Sequence, residues 1–278
     1  MKHSVEMVSH TDQLIESIYV TNFILNREKD LSPRNPMINE TLTHLVKCVS
    51  LMFTESETKR ILADLHIQRI RNGMMKKLAQ AETEMEFYYA QEFARKPSLS
   101  LDDLKRFLYW DNYEALIETE IRGLQASDLP YTLQPGESVA FVGSGPLPLS
   151  AVILAYKVGG RMTCIDVDER ACESAKKLIM GLGLEGEIFV ECTAGENHDY
   201  GRHPLIFMAS LVPNKAEVIS RIRLTREDAV LAVRSADGVR ELLYEPVDEK
   251  ELSAMGCTLK GRTYADSKII NSTLFYRL

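Results

Sequence analysis

Glycine is spread unevenly along this chain, and that unevenness constrains the fold more than any other feature. Of 15 glycines in 278 residues, only Gly73 and Gly123 precede residue 130, and the rest punctuate the second half. A long stretch almost free of turn-forming residues predicts helices, whereas glycine-punctuated sequence predicts short elements joined by tight turns. Two domains are therefore expected, 1–128 and 129–278. The segment from Ser127 through Pro130 and Pro135 to Gly136 forms the linker.

Composition narrows the function. A net charge of -7 offers no positive field to a polyanion, which argues against nucleic acid as partner. No apolar run approaches the roughly 18 residues of a membrane span. Met1-Lys2-His3-Ser4 leads into polar sequence without the apolar core of a signal peptide, so a cytoplasmic location is expected. The five cysteines, Cys48, Cys164, Cys172, Cys192 and Cys257, are scattered and never spaced as Cys-x-x-Cys. They read as small apolar residues in a reducing cell, and no metal cofactor is expected.

In the first half, Leu14, Ile15, Ile18 and Leu25 recur at helical spacing, as do Leu42, Leu45, Val46 and Val49 after Pro36. Thr54 with Glu57 forms a capping box that opens a long helix through Ile61, Leu65 and Ile70 toward Arg95, with a disturbance expected near Gly73. Ser100 with Asp103 and Asp111 with Glu114 open two shorter helices, the second ending near Gly123. The first half is thus an all-helical bundle.

The second half alternates. Strand-like runs at Ser138–Val142, Arg161–Val167, Glu187–Glu191, Leu205–Ala209, Ala229–Val233 and Ser272–Tyr276 are separated early on by helical stretches at Pro148–Val158 and Glu169–Gly181. Such alternation predicts an α/β Rossmann-like domain with a doubly wound, mostly parallel sheet, and the last run is expected to return antiparallel. Leu205-Ile206-Phe207-Met208-Ala209 is apolar throughout, as a strand buried on both faces must be.

Val139-Ala140-Phe141-Val142 runs into Gly143-Ser144-Gly145, then Pro146-Leu147-Pro148 and an apolar helix. This is a strand, a glycine turn and a helix start, and ligands of such sheets sit beyond the carboxyl ends of the strands. The next strand ends in Asp166, about 20 residues on, where an acid would hold a ribose hydroxyl pair. The third glycine of a dinucleotide fingerprint is replaced by Pro148, and no Gly-Lys-Ser/Thr follows to cradle a triphosphate. S-adenosylmethionine, a nucleoside without a pyrophosphate, fits that pattern. Gly143, Ser144, Gly145 and Pro146 are assigned to the turn and Asp166 to the ribose. Val167, Thr193 and Ala194 are assigned to the adenine, and Ala209 and Leu211 to the mouth. Asp168 reads as the cap of the following helix.

Glu82, Glu84 and Glu86 precede Phe87, Tyr88, Tyr89 and Phe93, and Phe107, Tyr109, Trp110 and Tyr113 follow. On a helix Glu82 and Glu86 share a face and Glu84 does not. Such stretches are usually solvated acids and core aromatics. Acids among aromatic faces are also what would hold a cationic sulfonium and amine.

Several blocks together resemble the nicotianamine synthase family, including the related synthases of histidine-derived opine metallophores of the staphylopine type. They are Leu31-Ser32-Pro33 through Asn39, Leu45-Val46-Lys47-Cys48, Ala81 to Glu86, Asn112-Tyr113 with Glu120, Gly143 through Leu149, and Arg234-Ser235-Ala236-Asp237-Gly238-Val239-Arg240 with Leu243-Tyr244. The resemblance implies a helical domain covering a class I methyltransferase-type Rossmann domain. It also implies transfer of the 3-amino-3-carboxypropyl (aminobutyryl) group of S-adenosylmethionine to an acceptor amine, releasing methylthioadenosine. It assigns catalysis to Glu86, with Glu84 as the fallback, and to Tyr113. Tyr109, Glu120 and Arg234 become candidates for substrate binding, Arg234 as a carboxylate partner. The acceptor is either histidine or an aminobutyrate from a second S-adenosylmethionine, and homodimerisation is left open. Two rivals predict other products: a small-molecule N-methyltransferase would release S-adenosylhomocysteine, and a non-catalytic S-adenosylmethionine-binding regulator would turn over nothing.

Overall fold

The computed structural model describes residues 9–96, 98–127, 129 and 135–278, and most of the expected linker lies outside them. The chain divides into two compact units. One comprises the residues up to Met85 with Gly238–Leu243, and the other Glu86–Asp237 with Tyr244–Leu278.

The first unit holds α1 (His10–Arg27), α2 (Pro36–Val49), α3 (Glu55–Leu62) and α4 (Leu65–Ala94) as far as Met85. Local chemistry sets each start. The Ser9 and Asn35 side chains accept from Asp12 N and Met37 N, and Thr54 and Glu57 complete the expected capping box. Leu14, Ile18 and Leu25 of α1 and Ile38, Leu42 and Leu45 of α2 are buried, and the two helices pack together. The break expected at Gly73 falls earlier. The chain leaves the helix at Ala63, and Asp64 Oδ1 accepts from His66 N and Ile67 N at 2.9 Å each and from the Tyr19 hydroxyl at 3.0 Å. A carboxylate that can cap a new helix outweighs one glycine, which costs a helix only about 1 kcal/mol.

The second unit holds the end of α4, α5 (Leu101–Leu104), α6 (Trp110–Ala126) and a seven-stranded sheet. Its strands are β1 (Val139–Val142), β2 (Met162–Asp166), β3 (Ile188–Cys192), β4 (Leu205–Met208), β5 (Val230–Ser235), β6 (Thr258–Arg262) and β7 (Ser272–Arg277), in the order β3-β2-β1-β4-β5-β7-β6. The first five are parallel, and β7 lies antiparallel between β5 and β6. β6 is the strand that the sequence pattern did not reveal: Thr258, Leu259 and Lys260 are all exposed on an edge, so no apolar run marks it. Helices α7 (Leu149–Val158), α8 (Glu169–Leu182), α9 (Lys215–Thr225) and α10 (Glu249–Ala254) complete the unit.

α6 passes through Gly123 rather than stopping there. A Cβ at Gly123 would lie 2.5 Å from the ring of Phe275 on β7, so this glycine lets a helix approach the sheet closely. That approach sets α6 against the sheet, although its lack of turn residues groups it with the earlier helices in sequence. Ala140, Ile206, Leu231, Ile219 and Ile222 are fully buried in the core between sheet and α9.

Candidate active site

The site is built on the turn after β1. Gly143 has φ 74° and Gly145 has φ 69°, a region of backbone space that L-residues avoid at about 1–2 kcal/mol. Both also leave room for a neighbour. A Cβ on Gly143 would meet Val212 Cγ2 at 2.5 Å, and one on Gly145 would meet Glu86 Oε2 at 2.5 Å. Asp166, at the carboxyl end of β2, braces the turn: its Oδ2 accepts from Gly145 N at 2.8 Å and its Oδ1 from Asp168 N at 3.0 Å. Each carboxylate oxygen has two lone pairs, so each keeps one for a ligand hydroxyl.

Glu86 stands over that turn. Its Oε1 accepts from the Tyr113 hydroxyl at 3.2 Å, while Oε2 lies against Gly145. An acid of α4, a phenol of α6 and the glycine turn therefore converge within one unit. Aromatic rings surround the phenol: Phe107 lies 6.0 Å from both Tyr113 and Tyr109, and Tyr89 packs edge-on to Phe107 at 5.0 Å. Glu84 is not brought to this place. It accepts from Gln80 Nε2 at 2.9 Å, and two residues along a helix turn a side chain through about 200°.

Glu120 and Arg234 are committed to each other. Arg234 Nε donates to Glu120 Oε1 at 2.9 Å and Nη2 to Oε2 at 3.0 Å, a bidentate pair in which Glu120 is fully buried. Thr273 Oγ1 donates to Glu120 Oε1 at 2.7 Å, and Arg234 Nη2 also reaches Ser150 Oγ at 2.9 Å. Burial alone would lower the guanidinium's pKa, but Glu120 outweighs it and holds Arg234 above its ordinary value, with Tyr113 and Tyr244 close enough to add to the field. Sequence reading missed Ser150 and Thr273. The available signal was a hydroxyl in an otherwise apolar helix and strand.

The remaining expected residues lie along the carboxyl ends of the parallel strands. Val167 follows β2 and is 72% exposed, and Leu211, beyond β4, is 44% exposed: apolar side chains open to a ligand. Thr193 and Ala194 are half-buried after β3, and Thr193 N donates to Asp166 O at 2.9 Å. Ala209 N donates to Val142 O at 3.0 Å, Ser144 is half-buried, and Pro146 is buried beneath the turn. Tyr109 is half-buried at the start of α6. Asp168 caps α8 by accepting from Arg170 N. Behind Asp166, burial pushes the Cys164 and Cys172 thiols up to about 12, and all five cysteines are unpaired thiols.

A mostly parallel sheet with a glycine turn, an acid on the neighbouring strand and a second acid over the turn defines an α/β protein of the Rossmann-like class, whose ligands sit beyond the carboxyl ends of the strands. Residues 7–278 match the family model described as Nicotianamine synthase protein, and the chain belongs to the nicotianamine synthase family. It is 29% identical over 277 residues to Nicotianamine synthase 3 of Oryza sativa subsp. indica, covering 96% of this chain and 78% of that one. It is 29% identical over 275 residues to Probable nicotianamine synthase 2 of Hordeum vulgare, covering 95% and 79%. Among solved structures, MtNAS in complex with MTA and tNA is similar with a TM-score of 0.81 at 20% identity, covering 98% of this chain and 99% of that one. A glutamate-to-glutamine mutant of MtNAS in complex with S-adenosylmethionine is similar with a TM-score of 0.79 at 21% identity, covering 95% and 97%. At these identities the likeness shows the fold. Among the described residues, no helix is long and apolar enough to cross a membrane, and no group of three or more His, Cys, Asp or Glu could hold a metal ion.

Proposed function

We propose that this chain moves the 3-amino-3-carboxypropyl group of S-adenosylmethionine to an amine and releases methylthioadenosine, as in nicotianamine synthesis. The observation that carries this reading is the Glu86 carboxylate held against Gly145 with the Tyr113 hydroxyl on its Oε1. Membership of the nicotianamine synthase family supports it, as do the structures of MtNAS with S-adenosylmethionine and with MTA and tNA.

The chemistry is a displacement at a carbon attached to a sulfonium. Three such carbons are open to attack, so orientation selects the product. A neutral amine attacks the methylene of the aminocarboxypropyl arm, the carbon–sulfur bond breaks with its electron pair going to sulfur, and the nitrogen becomes an ammonium. Glu86 accepts the proton of that ammonium, and Tyr113 steadies the carboxylate. Asp166 takes the ribose hydroxyls on its remaining lone pairs, with Gly143, Ser144, Gly145 and Pro146 forming the floor. Val167, Thr193 and Ala194 flank the base, and Ala209 and Leu211 line the mouth. Tyr109 presents a ring to the cationic substrate. Arg234, oriented by Glu120, offers its Nη1 group to a substrate carboxylate.

Incubation with S-adenosylmethionine alone, and then with L- or D-histidine, followed by identification of the products by mass, tests the reading. Methylthioadenosine with nicotianamine is expected in the first reaction. A histidine adduct formed only in the second would assign histidine as the acceptor. S-adenosylhomocysteine would establish methyl transfer instead, and unconsumed S-adenosylmethionine would leave a binding protein.

A further inference from the structure

Lys215 sits where a cation is costly. It opens α9, at the positive end of the helix dipole, and the preceding Asn214 is left-handed with φ 50° and gives no side-chain cap. Lys215 is half-buried, and desolvation of its amine brings its pKa down to about 8 despite the upward pull of Glu245. A serine would close a helix start without opposing either effect.

What the ammonium secures is the loop between β4 and α9. Lys215 Nζ donates to Ser210 O at 2.8 Å and to Val212 O at 2.9 Å, drawing the two carbonyls together. Asn271 Nδ2 donates to Ser210 Oγ at 2.8 Å from the far side. Val212 then projects onto the glycine turn, where its Cγ2 occupies the space a Cβ on Gly143 would need. Ala209 and Leu211, the residues assigned to the mouth, lie within the segment so held.

We infer that Lys215 is a positioning residue, whose ammonium clamps the loop of residues 209–212 onto the Gly143 turn and so shapes the wall of the nucleoside site. The inference rests on the proposed function and adds to it a residue that touches no reacting atom. A lysine that merely stabilised the fold would lower melting temperature and binding together when removed. A clamp that opposes the dipole and its own burial separates them.

The test uses the full chain with Lys215→Met, Lys215→Arg and Val212→Ala. It combines calorimetric titration of methylthioadenosine, steady-state kinetics with S-adenosylmethionine, and thermal melting. Lys215→Met is expected to weaken methylthioadenosine binding about tenfold or more and to raise KM by a similar factor, with kcat within about threefold of wild type, since charge-assisted hydrogen bonds that shape the bound state are lost. Its melting temperature should not fall, whereas Lys215→Arg should keep binding within about threefold of wild type. Val212→Ala, which leaves the helix start untouched, should weaken binding in the same direction even if Lys215→Met fails to fold. Unchanged binding in Lys215→Met or in Val212→Ala overturns the positioning role while wild-type turnover leaves the proposed function standing. Melting temperature and binding that fall together in Lys215→Met, without rescue by arginine, also overturn it. Wild-type protein that neither binds methylthioadenosine nor consumes S-adenosylmethionine overturns both.

Discussion

Glu86 and Glu120 are both carried on helices of the sheet-bearing unit, yet their surroundings oppose each other. Glu120 is fully buried, and both its oxygens accept from the Arg234 guanidinium, with Thr273 added on Oε1. Glu86 is half-buried, lies against the backbone of Gly145 and accepts from the neutral phenol of Tyr113. A carboxylate with both oxygens taken up in a bidentate ion pair has little capacity left for chemistry. A carboxylate at an open turn can exchange a proton with a ligand. The difference teaches that placement, rather than residue type, separates the two roles.

The largest expected effect is on turnover. Glu86→Gln should reduce kcat by about a hundredfold to ten-thousandfold while S-adenosylmethionine binding stays nearly intact. Unchanged kcat would erase the contrast, because Glu86 would then be no more chemical than Glu120. Glu120→Gln should act on the other quantity. Leaving the Arg234 charge buried and half-paired should cost about 3–5 kcal/mol of stability, read from urea unfolding. A loss below about 1 kcal/mol would mean that the pair is as replaceable as an exposed one.

A third buried polar network sharpens the point by being neutral. His198 and His203 share a hydrogen bond between their Nε2 atoms at 3.0 Å, and burial lowers His203 to about 4. The unfolded chain binds protons near the ordinary histidine value of about 6.5, so between there and about 4 it holds more protons than the folded one. Stability should therefore fall as pH falls through that window, by on the order of 2 kcal/mol at pH 4.5, and the slope should be shallower in His203→Gln. An equal slope in both proteins would remove the histidine from the account. The smallest effect belongs to Tyr113→Phe. Losing one hydrogen bond to a carboxylate should lower kcat by about tenfold, with stability changed by about 1 kcal/mol. A loss as deep as that of Glu86→Gln would mean that the carboxylate works only with the phenol's hydrogen bond in place.

Much of the fold was legible because its signals are local. The capping residues Thr54, Ser100 and Asp168 act within three residues of themselves, and all three cap helices as read. The apolar runs of β1 to β5 and the glycine turn were legible for the same reason. Other features were hidden because they depend on contacts distant in the chain. Gly123 looks like a helix stop until Phe275 is seen beneath it. Glu120 looks like a substrate contact until it is seen paired with Arg234 across 114 positions. Lys215 carries no pattern at all, because its partners are backbone carbonyls whose direction no side-chain sequence records.

The sequence by itself determined the kinds of elements, their approximate limits, and a glycine turn followed by Asp166, since propensity, capping and turn chemistry act over a few residues. Only the tertiary structure decided which acid stands over Gly145. Glu86, Tyr113 and Gly145 come from two helices and a turn, and their convergence is set by how closely those helices pack onto the sheet. That packing is a collective result of many buried side chains, and no short stretch of the chain encodes it.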